Sequence, residues 1–167
     1  NLTYLWLQLD QNIRKKDAPS LYKNSTGNSV TQRPSSFLKN YINGSFDGGF
    51  NIEWVLDTQG NPLKYTINQT MMRVDLPESL SPNEIFKFKI KWWYNINNRL
   101  EYGGRSGYEY FEGDGNKVYT IAQFFPRLCV YNDVEGWQNY QFWGNGEFAL
   151  EFGDYQVNIT VPSDHIM

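Results

Sequence analysis

Few side chains in this sequence could carry out catalysis by themselves. The chain has one histidine, His165, and one cysteine, Cys129, which lies 36 positions earlier. A protein zinc site needs three or four His, Cys or carboxylate ligands, and the zinc motif H-E-x-x-H does not occur. A serine triad would depend on His165, which lies in a polar tail, and no G-x-S-x-G motif is present. We therefore predict no catalytic residue and no metal ligand set in this chain.

Three carboxylates cluster in the second half of the chain, at Glu109, Glu112 and Asp114. Two of them could flank a glycosidic bond, and Asp114 opens a partial calcium-loop pattern. That pattern lacks the downstream Glu which binds calcium through both oxygens, so a solvated turn is the better interpretation. Residues 103–107 (GGRSG) are glycine-rich, but no helix follows that could bind a phosphate, and they are interpreted as a loop.

Aromatic residues give the strongest positive signal, with 12 Tyr, 11 Phe and 6 Trp in 167 residues. Successive side chains of a strand point to opposite faces, so Trp92, Trp93 and Tyr94 must place rings on both faces of a sheet. One face packs in the core. The other face would be an exposed platform that binds sugars, or a surface that another domain covers. Further rings that would extend this second surface are Tyr102, Tyr108, Tyr110 and Phe111.

The elements that must position these residues are almost all strands. Alternation is clearest in residues 84–94 (EIFKFKIKWWY), where the apolar residues from Phe86 to Trp92 share one face and three lysines the other. No helix of three turns is predicted. We expect an all-β fold, either a β-sandwich or a saddle-like curved sheet of mostly antiparallel strands. The other predicted strands span residues 2–9, 49–57, 63–69, 70–76, 117–125, 145–152 and 155–161.

The chain organisation predicts one domain. A length of 167 residues is enough for one hydrophobic core, and no internal repeat is visible. Residues 13–47 are polar and irregular, which indicates an insertion or a mobile loop. The chain stops shortly after its last predicted strand, so we interpret it as a piece of a larger protein, cut before the C-terminal end of the domain.

Composition argues against several classes of function. The net charge is only −3 and no basic stripe is present, so a nucleic-acid partner is not expected. No apolar run reaches 18 residues, so no membrane span is expected. The single Cys129 lies among apolar residues and is predicted to be an inert buried thiol. Such sparse cysteine suits the cytoplasm as well as an exported protein.

Two ordered motifs make the second half of the chain recognisable. Residues 122–127 read AQFFPR and residues 130–137 read VYNDVEGW, followed by GEF at 146–148 and a last strand within 154–162. Together with YLWLQLDQN at 4–12, this pattern resembles the N-terminal β domain of the aminopeptidase N family of zinc metallopeptidases, the gluzincin aminopeptidases, in its bacterial form.

The resemblance implies a saddle-shaped, mostly β unit that packs against a thermolysin-like catalytic domain of the same polypeptide. In that family the catalytic zinc, the H-E-x-x-H helix and the G-x-M-x-N motif all lie in the catalytic domain. This chain would then be a non-catalytic fragment of a zinc metallopeptidase, with no cofactor of its own. Its expected partners are the catalytic domain and a peptide substrate. Its expected location is the periplasm, the outer surface or the outside of a bacterium.

The resemblance also implies three substrate-binding residues. Gln123 matches the family's glutamine that reaches the active-site cleft, and its amide can donate and accept hydrogen bonds near a peptide. Phe125 stands where many relatives carry Glu or Gln, which holds the free amino group of the substrate. A phenyl ring cannot form that salt bridge, but a cation–π contact would contribute about 0.5–2 kcal/mol. Phe124 lies between them, and strand geometry would put the two rings on opposite faces.

Two other functions are compatible with the same residues. A carbohydrate-binding β-sandwich module would use the exposed Trp and Tyr rings to stack on sugars. A purely structural interaction domain would bury them against a partner.

Overall fold

The structure is a computed structural model that describes residues 1–21, 46–144, 151 and 153–166. Most of the predicted insertion at 13–47 and most of the predicted strand at 145–152 lie outside the described residues. Ten strands, two 3-10 helices and one α-helical turn are described, and the prediction of an all-β fold is confirmed. The strands are β1 (Leu2–Gln8), β2 (Asn51–Asp57), β3 (Tyr65–Asn68), β4 (Met71–Leu80), β5 (Phe88–Trp93), β6 (Gly107–Phe111), β7 (Asn116–Thr120), β8 (Arg127–Leu128), β9 (Tyr131–Asn132) and β10 (Gly136–Trp137), and the helices are Asp10–Arg14, Pro19–Leu21 and Arg99–Tyr102.

The largest sheet has four antiparallel strands in the order β3-β4-β1-β8. In β1, Leu5 and Leu7 point to the same face, because side chains alternate along a strand. They lie opposite Val74 and Met72 of β4. All four side chains are buried, which gives this face of the sheet to the core.

A second antiparallel pair, β2 with β5, faces the same core. Val55 lies opposite Ile90, and both side chains contribute to the core cluster. The predicted alternation of β5 is confirmed. Lys89 and Lys91 are exposed, whereas the alternate residues Phe88, Ile90 and Trp92 are half-buried. Lys91 pairs with Glu53 of β2 at 2.6 Å, on the solvent side.

The core cluster joins these two sheets. Because burying one large apolar side chain contributes about 1.5–3 kcal/mol, this cluster is the main source of stability in the described part of the chain. Whether the sheets curve into the expected sandwich or saddle stays a prediction. The buried members of the cluster are Leu7, Leu9, Phe50, Val55, Leu63, Met72 and Val74.

Two small hairpins complete the described strands, β6 with β7 and β9 with β10. In the first hairpin Tyr108 lies opposite Tyr119, with ring centroids 6.1 Å apart. In the second, Tyr131 and Trp137 pack edge to face at 5.2 Å. Within the described ranges, no helix has the length and apolar character needed to cross a membrane.

Several predicted strand boundaries are wrong. Strand β4 runs through Pro77 to Leu80 instead of ending at residue 76, because the register shifts between Leu2 and Tyr4 of β1. This irregularity accommodates a proline that could not donate a ladder hydrogen bond. The strand predicted at 117–125 ends at Thr120.

A further difference concerns the segment predicted as a strand at 155–161. Residues 153–161 form no strand with the other described residues, although apolar and polar residues still alternate there. Tyr155, Val157 and Ile159 are 68%, 56% and 62% exposed. The strand predicted as its neighbour, 145–152, lies mostly outside the described residues.

Candidate functional site

Three consecutive polar residues, Asp10, Gln11 and Asn12, are buried directly after β1, with 0%, 1% and 3% of their surfaces exposed. They lie in the 3-10 helix Asp10–Arg14. Buried polar groups need hydrogen-bond partners, and each of these residues finds its partner in a different segment of the chain. We call them the polar triplet.

Asp10 forms a two-point ion pair with Arg127. Nε of Arg127 donates to Oδ2 at 2.7 Å and Nη2 donates to Oδ1 at 3.0 Å. The two side chains are 0% and 13% exposed, so water screens this pair little. The pair fixes the first residue of β8, which is the residue that follows the AQFFP segment.

Asn12 connects two further segments of the fold. Its Nδ2 donates to the carbonyl oxygen of Gln69 at 2.6 Å, in the turn between β3 and β4. Its Oδ1 accepts from the backbone N–H of Phe50 at 2.8 Å, just before β2. Both sheets are therefore tied to the polar triplet.

Gln11 holds the segment that the sequence marks as the site. Its Nε2 donates to the carbonyl oxygens of Ala122 and Gln123, at 2.9 and 3.1 Å. From the other sheet, Nε1 of Trp92 donates to the carbonyl oxygen of Phe124 at 2.9 Å. Three successive carbonyl groups are thus oriented by buried or half-buried side chains, which fixes the path of this irregular segment.

Gln123 adopts a left-handed backbone conformation, with φ of 53°. For a residue other than glycine this conformation is unfavourable by about 1–2 kcal/mol, so the surrounding hydrogen bonds must hold it. The residue is half-buried and lines a cavity of about 400 Å³. Gln123 therefore lies where a ligand could reach its side chain.

The two phenylalanines do not accompany Gln123 into that cavity, since neither belongs to its described lining. The rings of Phe124 and Phe125 contact each other edge to face at 5.1 Å, and Phe125 also contacts Tyr155 at 6.2 Å. Both side chains are half-buried. The expectation of opposite faces is wrong because residues 121–126 are not a strand, so the alternation rule does not apply.

Basic side chains dominate the polar part of the cavity around Gln123. Its cationic residues are Arg14, Lys15, Lys16 and Arg105, and none of the described lining residues is acidic. The sequence signal for this property is the run Arg14-Lys15-Lys16, which lies inside the segment interpreted only as irregular. We call this space the basic cavity. Its described wall consists of residues 13–16, 102–105 and 142–144 with Ser20, Phe46 and Gln123.

Arg14 is half-buried in the wall of this cavity. Burial lowers its pKa, because desolvation disfavours the charged guanidinium, and the nearby Tyr94 opposes this effect. Its Nη1 donates to Oε1 of Gln11 at 2.8 Å, so its described side-chain partner is a neutral amide. Gly104, at φ +91°, leaves the room for Arg14, since a Cβ there would lie 2.5 Å from Nη2.

Gly103, Gly104 and Arg105 of the glycine-rich loop line this cavity, whereas His165 and Glu109 do not. His165 pairs with the adjacent Asp164 at 2.9 Å, and that hydrogen bond lowers the pKa of the Asp164 carboxyl. Glu109 pairs with Arg99. Across the described ranges no group of three or more His, Cys, Asp or Glu could hold a metal ion. These residues therefore do not fit a zinc site.

Cys129 is buried, at 4% exposure, and burial raises the pKa of its thiol to about 12. The prediction of a buried thiol is confirmed. A thiol that stays protonated at neutral pH is a poor nucleophile and a poor metal ligand. Cys129 is therefore a packing residue.

Exposed apolar side chains occur on the β6–β7 hairpin and in residues 155–159. They include rings on the outside of the molecule, as the sequence predicted for Tyr110 and Phe111. Trp93, at 49% exposure, lies on the outer face of β5, whereas Trp92 packs against the core. We call the exposed apolar residues of the hairpin, together with those of 155–159, the exposed apolar surface. Its members are Tyr110, Phe111, Val118, Tyr119, Ile121, Tyr155, Val157 and Ile159.

Comparison of the chain with protein-family models, with curated proteins and with solved structures finds no match.

Proposed function

We propose that this chain is the non-catalytic β domain of a zinc metallopeptidase, and that its segment 122–125 lines the peptide-binding cleft of a catalytic domain in the same polypeptide. The proposal starts from the resemblance of residues 122–127 and 130–137 to the aminopeptidase N family. The observation that supports it best is the geometry of Gln123. Its backbone is strained, and its carbonyl oxygen accepts a hydrogen bond from the side chain of Gln11.

Strain at Gln123 supports a binding role for physical reasons. Strained backbone persists only where the surroundings enforce it, and it is concentrated at sites where a side chain must be held in one place. The side-chain nitrogen of Gln11 donates to this segment, and its side-chain oxygen accepts a hydrogen bond from Arg14. A rigid amide at position 123 can donate to a peptide carbonyl and accept from a peptide N–H.

Phe125 would change how the free amino group of a substrate is bound. In this proposal the ring offers a cation–π contact, which contributes about 0.5–2 kcal/mol, in place of an ion pair. Phe124 and Tyr155 pack against this ring at 5.1 and 6.2 Å, so an aromatic wall replaces the carboxylate of relatives. Peptides without a free amino group should therefore be discriminated against only weakly.

The exposed apolar surface supports the presence of a covering domain. Several exposed apolar side chains on one hairpin indicate an interaction surface. The alternating exposed residues Tyr155, Val157 and Ile159 have the pattern of a strand that packs on one face. In this proposal the catalytic domain covers this surface, and the zinc is held by residues of that domain.

The test uses the full-length polypeptide encoded by the gene. It should hydrolyse aminoacyl p-nitroanilides only with zinc bound, and Gln123→Ala should raise KM by about tenfold, the value of one good hydrogen bond. Gln59→Ala, in the exposed turn after β2, is the matched control and should leave KM unchanged. A full-length protein that binds no zinc and cleaves no peptide would refute the proposal.

A carbohydrate-binding module is the second candidate, and the exposure of Trp93 favours it. Sugar rings stack on exposed indoles, so binding of a polysaccharide should quench tryptophan fluorescence in a saturable way. Trp93→Ala should abolish the quenching if this function is correct. Saturable binding that survives Trp93→Ala would point away from this platform.

A further inference from the structure

We propose that the basic cavity binds the oxyanion of a small ligand, a carboxylate or a phosphate, that carries a flat apolar group. This inference goes beyond the proposed function, because the site is made by residues of this chain and needs no catalytic domain. It starts from charge. Four cationic side chains share one wall, and no described lining residue is acidic.

Two acidic residues of the described part of the chain, Asp47 and Asp17, come close to this wall without lining the cavity. Asp47 accepts from the backbone N–H of Lys16 at 3.4 Å. Asp17 lines a neighbouring cavity that shares Ile13 and Phe142 with this one. Like charges that share a partly desolvated space repel each other, and a bound anion would relieve that repulsion.

Arg14 is the residue that makes the cavity a site and not merely a basic surface. Its guanidinium is partly buried, its recorded hydrogen bond uses Nη1 alone, and none of the described carboxylates lies within ion-pair distance of it. The other donors of a planar guanidinium match the two oxygens of a carboxylate or phosphate. The backbone of Gly104 packs next to Nη2, where a side chain would collide with the guanidinium.

The rest of the wall is suited to an apolar group. Phe46 and Tyr102 form a tilted ring pair with centroids 4.9 Å apart. Phe142, 4% exposed, closes the floor of the cavity beside Trp143. Small-ligand sites usually combine apolar walls with a few convergent polar groups, and about 400 Å³ is within their usual size range. The lining of this cavity is about half polar and half apolar.

The experiment is a calorimetric titration of the purified protein at low ionic strength with four probes. Phenyl phosphate and phenylacetate carry both parts of the expected ligand, inorganic phosphate carries only the anion, and benzyl alcohol only the ring. We expect one aromatic anion to bind at least about tenfold more tightly than the other three probes, a difference typical of one added charge-assisted contact. The tighter of the two aromatic anions identifies phosphate or carboxylate as the preferred group.

Variants locate the binding. Arg14→Gln should weaken the tighter aromatic anion by about tenfold or more, and Lys16→Gln by about threefold, since Lys16 is exposed. Lys87→Gln, which removes an exposed lysine before β5, should change nothing. If Arg14→Gln fails to fold, Lys16→Gln decides alone. Binding of benzyl alcohol as tight as the aromatic anions, no binding at all, or equal affinity in the deciding variant would overturn the proposal.

Discussion

Asp10 and Arg127 lie 117 positions apart in the chain and meet in a buried ion pair with two hydrogen bonds, at 2.7 and 3.0 Å. The pair joins the end of β1 to the start of β8. Arg127 follows the segment whose carbonyl groups Gln11 orients, and Gln11 follows Asp10. The ion pair and the candidate site are therefore adjacent in the structure.

Removing one partner of this pair should be strongly destabilising. Arg127→Met leaves the Asp10 carboxylate buried without a counter-ion, and we expect the free energy of unfolding to fall by about 3–5 kcal/mol. Arg73→Met is the matched control, because Arg73 pairs with Asp75 at 2.8 Å but both side chains are well exposed. That control should lose no more than about 1 kcal/mol. Urea denaturation measures both, and equal losses would contradict the role of burial.

Gln123→Gly should separate stability from function. Glycine tolerates a φ of 53°, so relief of strain should raise the free energy of unfolding by about 0.5–1 kcal/mol. The same change removes the amide proposed to bind peptide, so hydrolysis by the full-length polypeptide should fall. Gln138→Gly, at a position without positive φ, should instead lower stability. Denaturation midpoints and peptide kinetics test the two effects separately, and a Gln123→Gly variant less stable than wild type would argue against strain.

The adjacent tryptophans should respond differently to the same substitution. Trp92→Phe loses the hydrogen bond to the carbonyl oxygen of Phe124 and leaves a gap in the core, a loss of about 1–3 kcal/mol. Trp93→Phe, at 49% exposure, should stay within about 0.5 kcal/mol of wild type. Thermal denaturation measures the loss of stability in both variants. A larger loss in Trp93→Phe than in Trp92→Phe would contradict the prediction.

Because of Cys129, the free energy of unfolding should depend on pH in the alkaline range. Burial raises the pKa of the Cys129 thiol to about 12 in the folded chain, whereas its pKa in the unfolded chain is near the ordinary value of about 8.5. Between these values the unfolded state binds fewer protons, so stability falls as pH rises, by up to about 1.4 kcal/mol per pH unit.

Cys129→Ala lacks this contribution, and the comparison with it cancels the other titrating groups. The stability difference between wild type and Cys129→Ala, measured by urea denaturation, should therefore shrink from about pH 9 upwards. Native Cys129 should also react with Ellman's reagent far more slowly than the denatured chain. A stability difference that stays constant up to pH 11 would show that the thiol is not shielded in the way its burial indicates.

The strand pattern could be predicted from the sequence because alternation is a local property. β5 shows this best: its lysines face solvent and its apolar residues face the core, as expected. The segment 155–161 shows the limit of the same reasoning, because it alternates but forms no strand with the described residues. Alternation predicts which face of a strand is apolar, whereas pairing depends on which segments the tertiary fold places side by side.

The candidate site was only partly predictable. Motif resemblance led to Gln123, and the structure adds its strained backbone and the residue that holds it. The polar triplet could not be predicted, since the partners of Asp10 and Gln11 are 111 to 117 positions away. Arg14 to Lys16 were visible as a basic run, but their position beside the loop at 103–104 depends on the tertiary fold.

The long separation between the polar triplet and its partners has a consequence for synthesis on the ribosome. β1 can pair with β4 once about half of the chain has emerged, and the apolar core then has most of its members. Gln11 must wait for residues 122 and 123, and Asp10 for residue 127. Since domains form as their segments emerge, docking of residues 122–128 onto the polar triplet is a late event. Until then, two polar side chains destined for the interior remain hydrated, which keeps the nascent domain open on the side where the candidate site will form.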